Sequence, residues 1–110
     1  MKKHLLTFGL LALLCMAIPA QADNLDYYTR DMADSEYRMA EKSVRKAKAD
    51  YGENLDNVPA EKRASICREL SAALHDNRIQ LNRNDFFTKQ QYRKQVDNLQ
   101  VWTREMGCLK

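Results

Sequence analysis

Between residues 23 and 110 the chain carries only three strong helix breakers: Gly52, Pro59 and Gly107. The stretches they leave are dense in charge and free of β-branched runs, which favours helix over strand. The punctuation predicts an all-α fold, a small bundle of three helices. The first helix should run from about Leu25 to Tyr51. Asp23 or Asn24 can cap it. Asp26, Asp31, Asp34 and Glu36 crowd its beginning and Arg45, Lys46 and Lys48 its end, a polarity that suits the helix dipole. Tyr37, Ala40, Val44, Ala47 and Tyr51 recur at spacings of three and four, the seam of a packed helix. Leu25, Tyr28 and Met32 form a second apolar stripe, with Met39 beside the first.

Residues 52–58 read as a loop. Pro59 suits the first turn of helix 2, where its missing N–H costs nothing. That helix should reach about Asn82, with an apolar stripe of Ile66, Cys67, Leu70, Ala73, Leu74 and Leu81 that Asn77 interrupts. The turn-rich run Asn82-Arg83-Asn84-Asp85 separates it from helix 3. Helix 3 should start at Asp85 or at Thr88, where Thr88 and Gln91 match a capping box, and end at Gly107. Its stripe is Tyr92, Val96, Leu99 and Met106, flanked by Trp102.

Upstream lies a different kind of sequence. Met1-Lys2-Lys3 is positive, Leu5 to Ile18 is almost wholly apolar, and Ala20-Gln21-Ala22 is an A-x-A cleavage site. These are the three parts of a secretory signal. The apolar run is about 14 residues, short of the ~20 a spanning helix needs. Residues 1–22 are therefore expected to be cleaved, leaving 23–110 as a single domain in the periplasm, without a transmembrane segment. Cys15 leaves with the signal, since Leu14 before it does not suit a lipobox. Loss of Lys2 and Lys3 takes the net charge from +3 to about +1. A near-neutral exported protein has no global field with which to hold nucleic acid.

Cleavage leaves two cysteines, Cys67 and Cys108. An even pair in an oxidising compartment points to a structural disulfide. There is no C-x-x-C and no helix N-terminus placed to activate either sulfur. If helices 2 and 3 form an antiparallel hairpin turning near residue 85, both cysteines reach similar heights at ~1.5 Å per residue. The bond would clip the open end of that hairpin, and helix 1 would complete the bundle.

Few residues suggest chemistry. His75 and Asp76 are neighbours that point about 100° apart on a helix. Ser71 shares a helical side with His75, but no third orienting group is evident. His75 with Met32, Met39 or Met106 is the set a haem would draw on, yet no attachment motif accompanies it. Two cysteines and one histidine are too few for a zinc site. No catalytic residues, metal or cofactor are expected.

Binding has more to draw on. Arg38, Lys42 and Arg45 form a basic face on helix 1, suited to an acidic partner or lipid heads, although Asp34–Arg38 and Glu41–Arg45 are i,i+4 pairs that would neutralise part of it. Phe86 and Phe87 are adjacent aromatics near a turn: either one is exposed as a binding anchor, or both pack under the corner of helices 2 and 3 as a hydrophobic staple. Trp102 and Arg104 complete the candidate partner-binding set. The seam on helix 1 serves equally for the internal core or for a homodimer.

The segment Trp102-Thr103-Arg104-Glu105-Met106-Gly107-Cys108, with Gln100 upstream, resembles the ending of the exported helical lysozyme-inhibitor domain of the LprI type. The likeness spans about ten residues. The Trp-to-Arg spacing is shorter here and the additional early cysteines of that family are missing. The resemblance implies an inhibitor of another envelope protein. Together the residues point to a non-enzymatic binding protein of the periplasm, with a chaperone or stress factor as the alternative and a small haem or redox carrier as the third reading.

Overall fold

The computed structural model describes residues 29–83 and 86–108, and for Phe87 the main chain only. The expected signal, the caps at Asp23 or Asn24, the stripe residues Leu25 and Tyr28, and Asp85 lie outside the described residues. The packing described below is that of the compact unit to which residues 31–108 belong. The described residues are helical over 29–51 (α1), Ala60–Arg83 (α2) and Phe86–Glu105 (α3), and contain no strand. The described residues are thus all-α, with three helices and a Cys67–Cys108 disulfide.

Each boundary has a local cause. Gly52 follows α1 at φ +108°, and its N–H returns to the Lys48 carbonyl at 3.0 Å, a left-handed cap that a β-carbon would strain. Pro59 sits just ahead of α2 rather than inside it. Its carbonyl accepts the first helical bond, from Arg63 N–H at 2.8 Å. At the far end of α3, Gly107 N–H bonds the Arg104 carbonyl and Cys108 N–H bonds the Thr103 carbonyl, with Gly107 at φ +72°. That pair of bonds is a Schellman motif. It brings Cys108 back to α2, where its Cα lies 5.6 Å from that of Cys67. Thr88 does not cap α3: the helix begins two residues earlier, at Phe86, and the Gln91 side chain bonds Gln95 instead of closing a capping box.

The core joins all three helices and the loop. Ala40, Val44 and Ala47 of α1 meet Ile66, Leu70 and Ala73 of α2 and Leu99 of α3, with Met106 closing one end. The α1 seam therefore faces the internal core. Tyr37 and Tyr51 flank it, Tyr37 with its ring 5.6 Å from that of Trp102 and its hydroxyl accepting from Asn98 Nδ2 at 2.8 Å. Met39, expected beside that seam, is 59% exposed.

The 52–59 loop contributes more than a connection. Leu55 and Val58 are buried and belong to the core. Leu55 adopts φ +62°, an uncommon conformation for a branched residue that persists where packing over-determines it. Arg63 holds it there: its guanidinium donates to the Leu55 carbonyl at 2.9 Å and to the Met106 carbonyl at 2.6 Å. One side chain thus ties the loop to the end of α3.

The α2 stripe runs differently from the sequence expectation. Asn77 is fully buried and Gln80 nearly so, whereas Leu81 is only half-buried. Asn77 Nδ2 donates to the Ala33 carbonyl at 3.1 Å and to the Ala73 carbonyl at 2.7 Å, and its Oδ1 accepts from Gln95 at 2.6 Å. Gln91 extends the chain to Gln95 at 3.0 Å and to Asp34 at 3.5 Å. A continuous polar link therefore crosses all three helices through the core. Buried amides are tolerated when partnered in this way.

One carboxyl pair on the α1–α2 seam makes stability depend on pH. Burial, then a hydrogen bond with Asp76, then the Asp76 charge push the Glu36 carboxyl up from 4.5 to about 7. Its Oε2 is buried and meets no donor. The folded protein thus keeps this proton to a higher pH than the unfolded chain does, and binds more protons between the two values. Stability from this group is complete below about pH 4.5 and is lost as pH rises to about 7. Melting temperatures measured across that window should fall with pH, and Glu36→Gln should remove most of the slope. A variant with an undiminished slope would contradict the assignment.

Candidate binding groove between α2 and α3

Cys67, Ser71, Leu74, His75 and Arg78 recur at i, i+4, i+7, i+8 and i+11, which places them along one side of α2. Gln100, Thr103, Arg104 and Cys108 face them from α3 and its terminal turn. Two adjoining lobes result. The first encloses about 310 Å³ between Leu74, Arg78, Gln100, Thr103 and Arg104. The second encloses about 360 Å³ and is lined by Ser71, His75 and the Cys67–Cys108 bond, sharing Leu74, Arg78 and Thr103 with the first.

The lining has a clear polarity. Leu74 and the disulfide supply apolar surface. Thr103 is buried and its hydroxyl donates to the Leu99 carbonyl at 2.7 Å, so it adds little free polarity. Arg78 and Arg104 are exposed, and among the described residues neither guanidinium meets a carboxylate or any other hydrogen-bond partner. Nearby acids are engaged elsewhere: Glu105 pairs with Lys48 at 2.9 Å, and Asp76 faces Glu36 on the α1 seam. Two guanidiniums thus line the first lobe without a carboxylate between them, and Arg78 lines the second lobe as well.

The residues expected from sequence fall in different places. Arg104 forms a wall of the groove. Trp102 is half-buried, stacked near Tyr37 on the core rather than standing out from it. Phe86 is 69% exposed at the start of α3, and the Phe87 side chain lies outside the described residues. Arg38, Lys42 and Arg45 are exposed on α1. Glu41 approaches Arg45 at 3.7 Å, a solvent-screened contact worth little. Asp34 accepts from Gln91, and Arg38 pairs with no acid among the described residues.

Sequence reasoning missed Arg78. The i, i+4, i+7, i+11 recurrence starting from Cys67 was the pattern that could have found it. The structure brings Ser71 and His75 into one lobe without an acid to orient the imidazole, because Asp76 lies on the α1 side of α2. The residues a haem would use are dispersed: Met106 is in the core, Met32 and Met39 are exposed on α1, and His75 lines the groove. Among the described residues no cluster of three or more His, Cys, Asp or Glu could hold a metal ion, and no helix is long and apolar enough to cross a membrane. The likeness to the lysozyme-inhibitor domain rests on its ten residues alone. No family model matches the chain, and no curated protein or solved structure matches it either.

Proposed function

We propose that this is an exported protein of the periplasm, cleaved after Ala22, that acts without catalysis by binding and modulating another envelope protein. The observation that carries the reading is the α2–α3 groove, with two unpartnered guanidiniums on a helical hairpin clipped by a disulfide. A rigid scaffold loses little entropy on binding. Guanidinium forks without internal partners are suited to recognition by charge-assisted bonds. The Ser71–His75 pair lacks the oriented base that nucleophilic catalysis requires. The positive amino terminus, apolar run and A-x-A site support export, and a disulfide in so small a chain fits an oxidising compartment.

The test is photo-crosslinking in the native envelope. A benzoylphenylalanine at position 100 should give one discrete protein adduct, and one at position 45 on α1 should not. Absence of an adduct at position 100, or turnover of a substrate by the pure protein, would overturn the reading.

A chaperone or stress factor is the second reading. Phe86 at 69% and Met39 at 59% exposure favour it, since broad client binding uses exposed apolar side chains. It predicts a smear of adducts at both positions and suppression of client aggregation at near-stoichiometric amounts.

A further inference from the structure

We infer that the groove takes an extended acidic peptide segment of its partner, about five residues long, with carboxylates gripped by Arg78 and Arg104 and an apolar side chain laid over Leu74 and the Cys67–Cys108 bond. This rests on the binding reading above and specifies its ligand.

Length is the first argument. From Cys67 to Arg78 the groove follows 11 residues of α2, about 16 Å at the helical rise of ~1.5 Å per residue. That matches about five residues of extended chain at ~3.3 Å each. A single small anion held between Arg78 and Arg104 would sit in the first lobe and leave the disulfide-lined wall of the second uncovered.

Charge is the second. Both guanidiniums lack partners among the described residues. A carboxylate brought between them gains fork-like hydrogen bonds and breaks no internal ion pair. The Gln100 amide stands in the same lobe as a further donor. In the second lobe the wall is the disulfide, with the Ser71 hydroxyl, the His75 imidazole and the Arg78 side chain alongside. The groove thus sets two guanidiniums beside the apolar surface of Leu74 and the disulfide, and a matching segment carries its acids next to an apolar residue.

Shape is the third. A bilayer presents a broad surface, which suits an outward basic face such as Arg38, Lys42 and Arg45 on α1 better than a groove between two helices.

The test uses the disulfide-bonded protein purified from cells expressing the full chain. The probe is a fluorescent amidated peptide, Leu-Ser-Leu-Glu-Glu, against its counterpart Leu-Ser-Leu-Gln-Gln. The acidic peptide should bind at least tenfold more tightly than the glutamine peptide. The double substitution Arg78→Gln with Arg104→Gln should weaken it at least tenfold with the melting temperature unchanged, because both side chains are exposed. Lys42→Gln with Arg45→Gln should leave binding within twofold. Equal binding of the two peptides, or full retention by the Arg78 and Arg104 variant, would overturn the proposal. So would stronger competition at these arginines by inorganic phosphate, or by phosphatidylglycerol vesicles, than by the unlabelled acidic peptide. The crosslink at position 100 separates the two levels of claim. An adduct that survives the double substitution refutes the acidic-segment ligand and leaves the binding reading standing, whereas no adduct in the unsubstituted protein refutes the binding reading itself.

Discussion

Reduction of the Cys67–Cys108 bond lowers the melting temperature by more than about 15 °C, as does the double substitution Cys67→Ala with Cys108→Ala. The bond closes a loop of 41 residues. Chain-entropy arithmetic assigns such a loop roughly 4 kcal/mol of destabilisation of the unfolded state. For a domain of this size each kcal/mol shifts the midpoint by about 4–8 °C. The location amplifies the effect. Cys108 leaves α3 through the Schellman turn at Gly107, next to the Met106 carbonyl that Arg63 holds. Losing the bond frees that turn, and with it one wall of the groove. Calorimetry with and without reductant is the measurement. An unchanged transition would show that the hairpin holds itself closed without the bond.

The second large effect is expected at Asn77. Asn77→Ala should destabilise the protein by about 2–4 kcal/mol, read by urea unfolding. The substitution opens a small cavity and strands the Ala33 carbonyl and the Gln95 amide, and each buried polar group left unpaired costs about 1–3 kcal/mol. Asn77→Leu fills the space but leaves the same groups unpaired, so it should restore little. A double-mutant cycle with Gln95→Ala isolates the contact. The coupling should exceed about 0.5 kcal/mol, the usual limit of additivity between independent sites. If Asn77→Leu proved as stable as the parent, the Asn77 link would be dispensable and α1 would be held by apolar packing and its remaining polar contacts.

The disulfide and Asn77 mark how far the chain can be read before its structure is known. The disulfide was legible because, with Cys15 assigned to the expected signal, only Cys67 and Cys108 remained to pair. The helices were legible because Gly52, Pro59 and Gly107 act through their own backbone, locally. The α1 seam was legible because Ala40, Val44 and Ala47 repeat at helical spacing. Asn77 looked like a flaw in its stripe because its partners, Gln95 and the Ala33 carbonyl, lie 18 and 44 residues away, and no local rule reports them. Leu55 and Val58 read as loop for the same reason: their burial depends on Arg63 and the core cluster. Trp102 and Arg104 were singled out together, yet lie two positions apart on α3 and face different surroundings. Arg78 became meaningful only when α3 supplied the opposite wall.

The closed ring also bears on how the chain answers proteolysis. α2, α3 and the bond between Cys67 and Cys108 form a covalent macrocycle. A single backbone cut anywhere inside it, including the short link between Arg83 and Phe86, yields an opened ring and not two molecules. The severed pieces stay tethered at Cys67 and Cys108, with the buried Asn77–Gln95 contact available to hold them in register. Scission there is a lesion the molecule can outlive, whereas the same cut between Tyr51 and Ala60 would leave α1 held by noncovalent contacts alone.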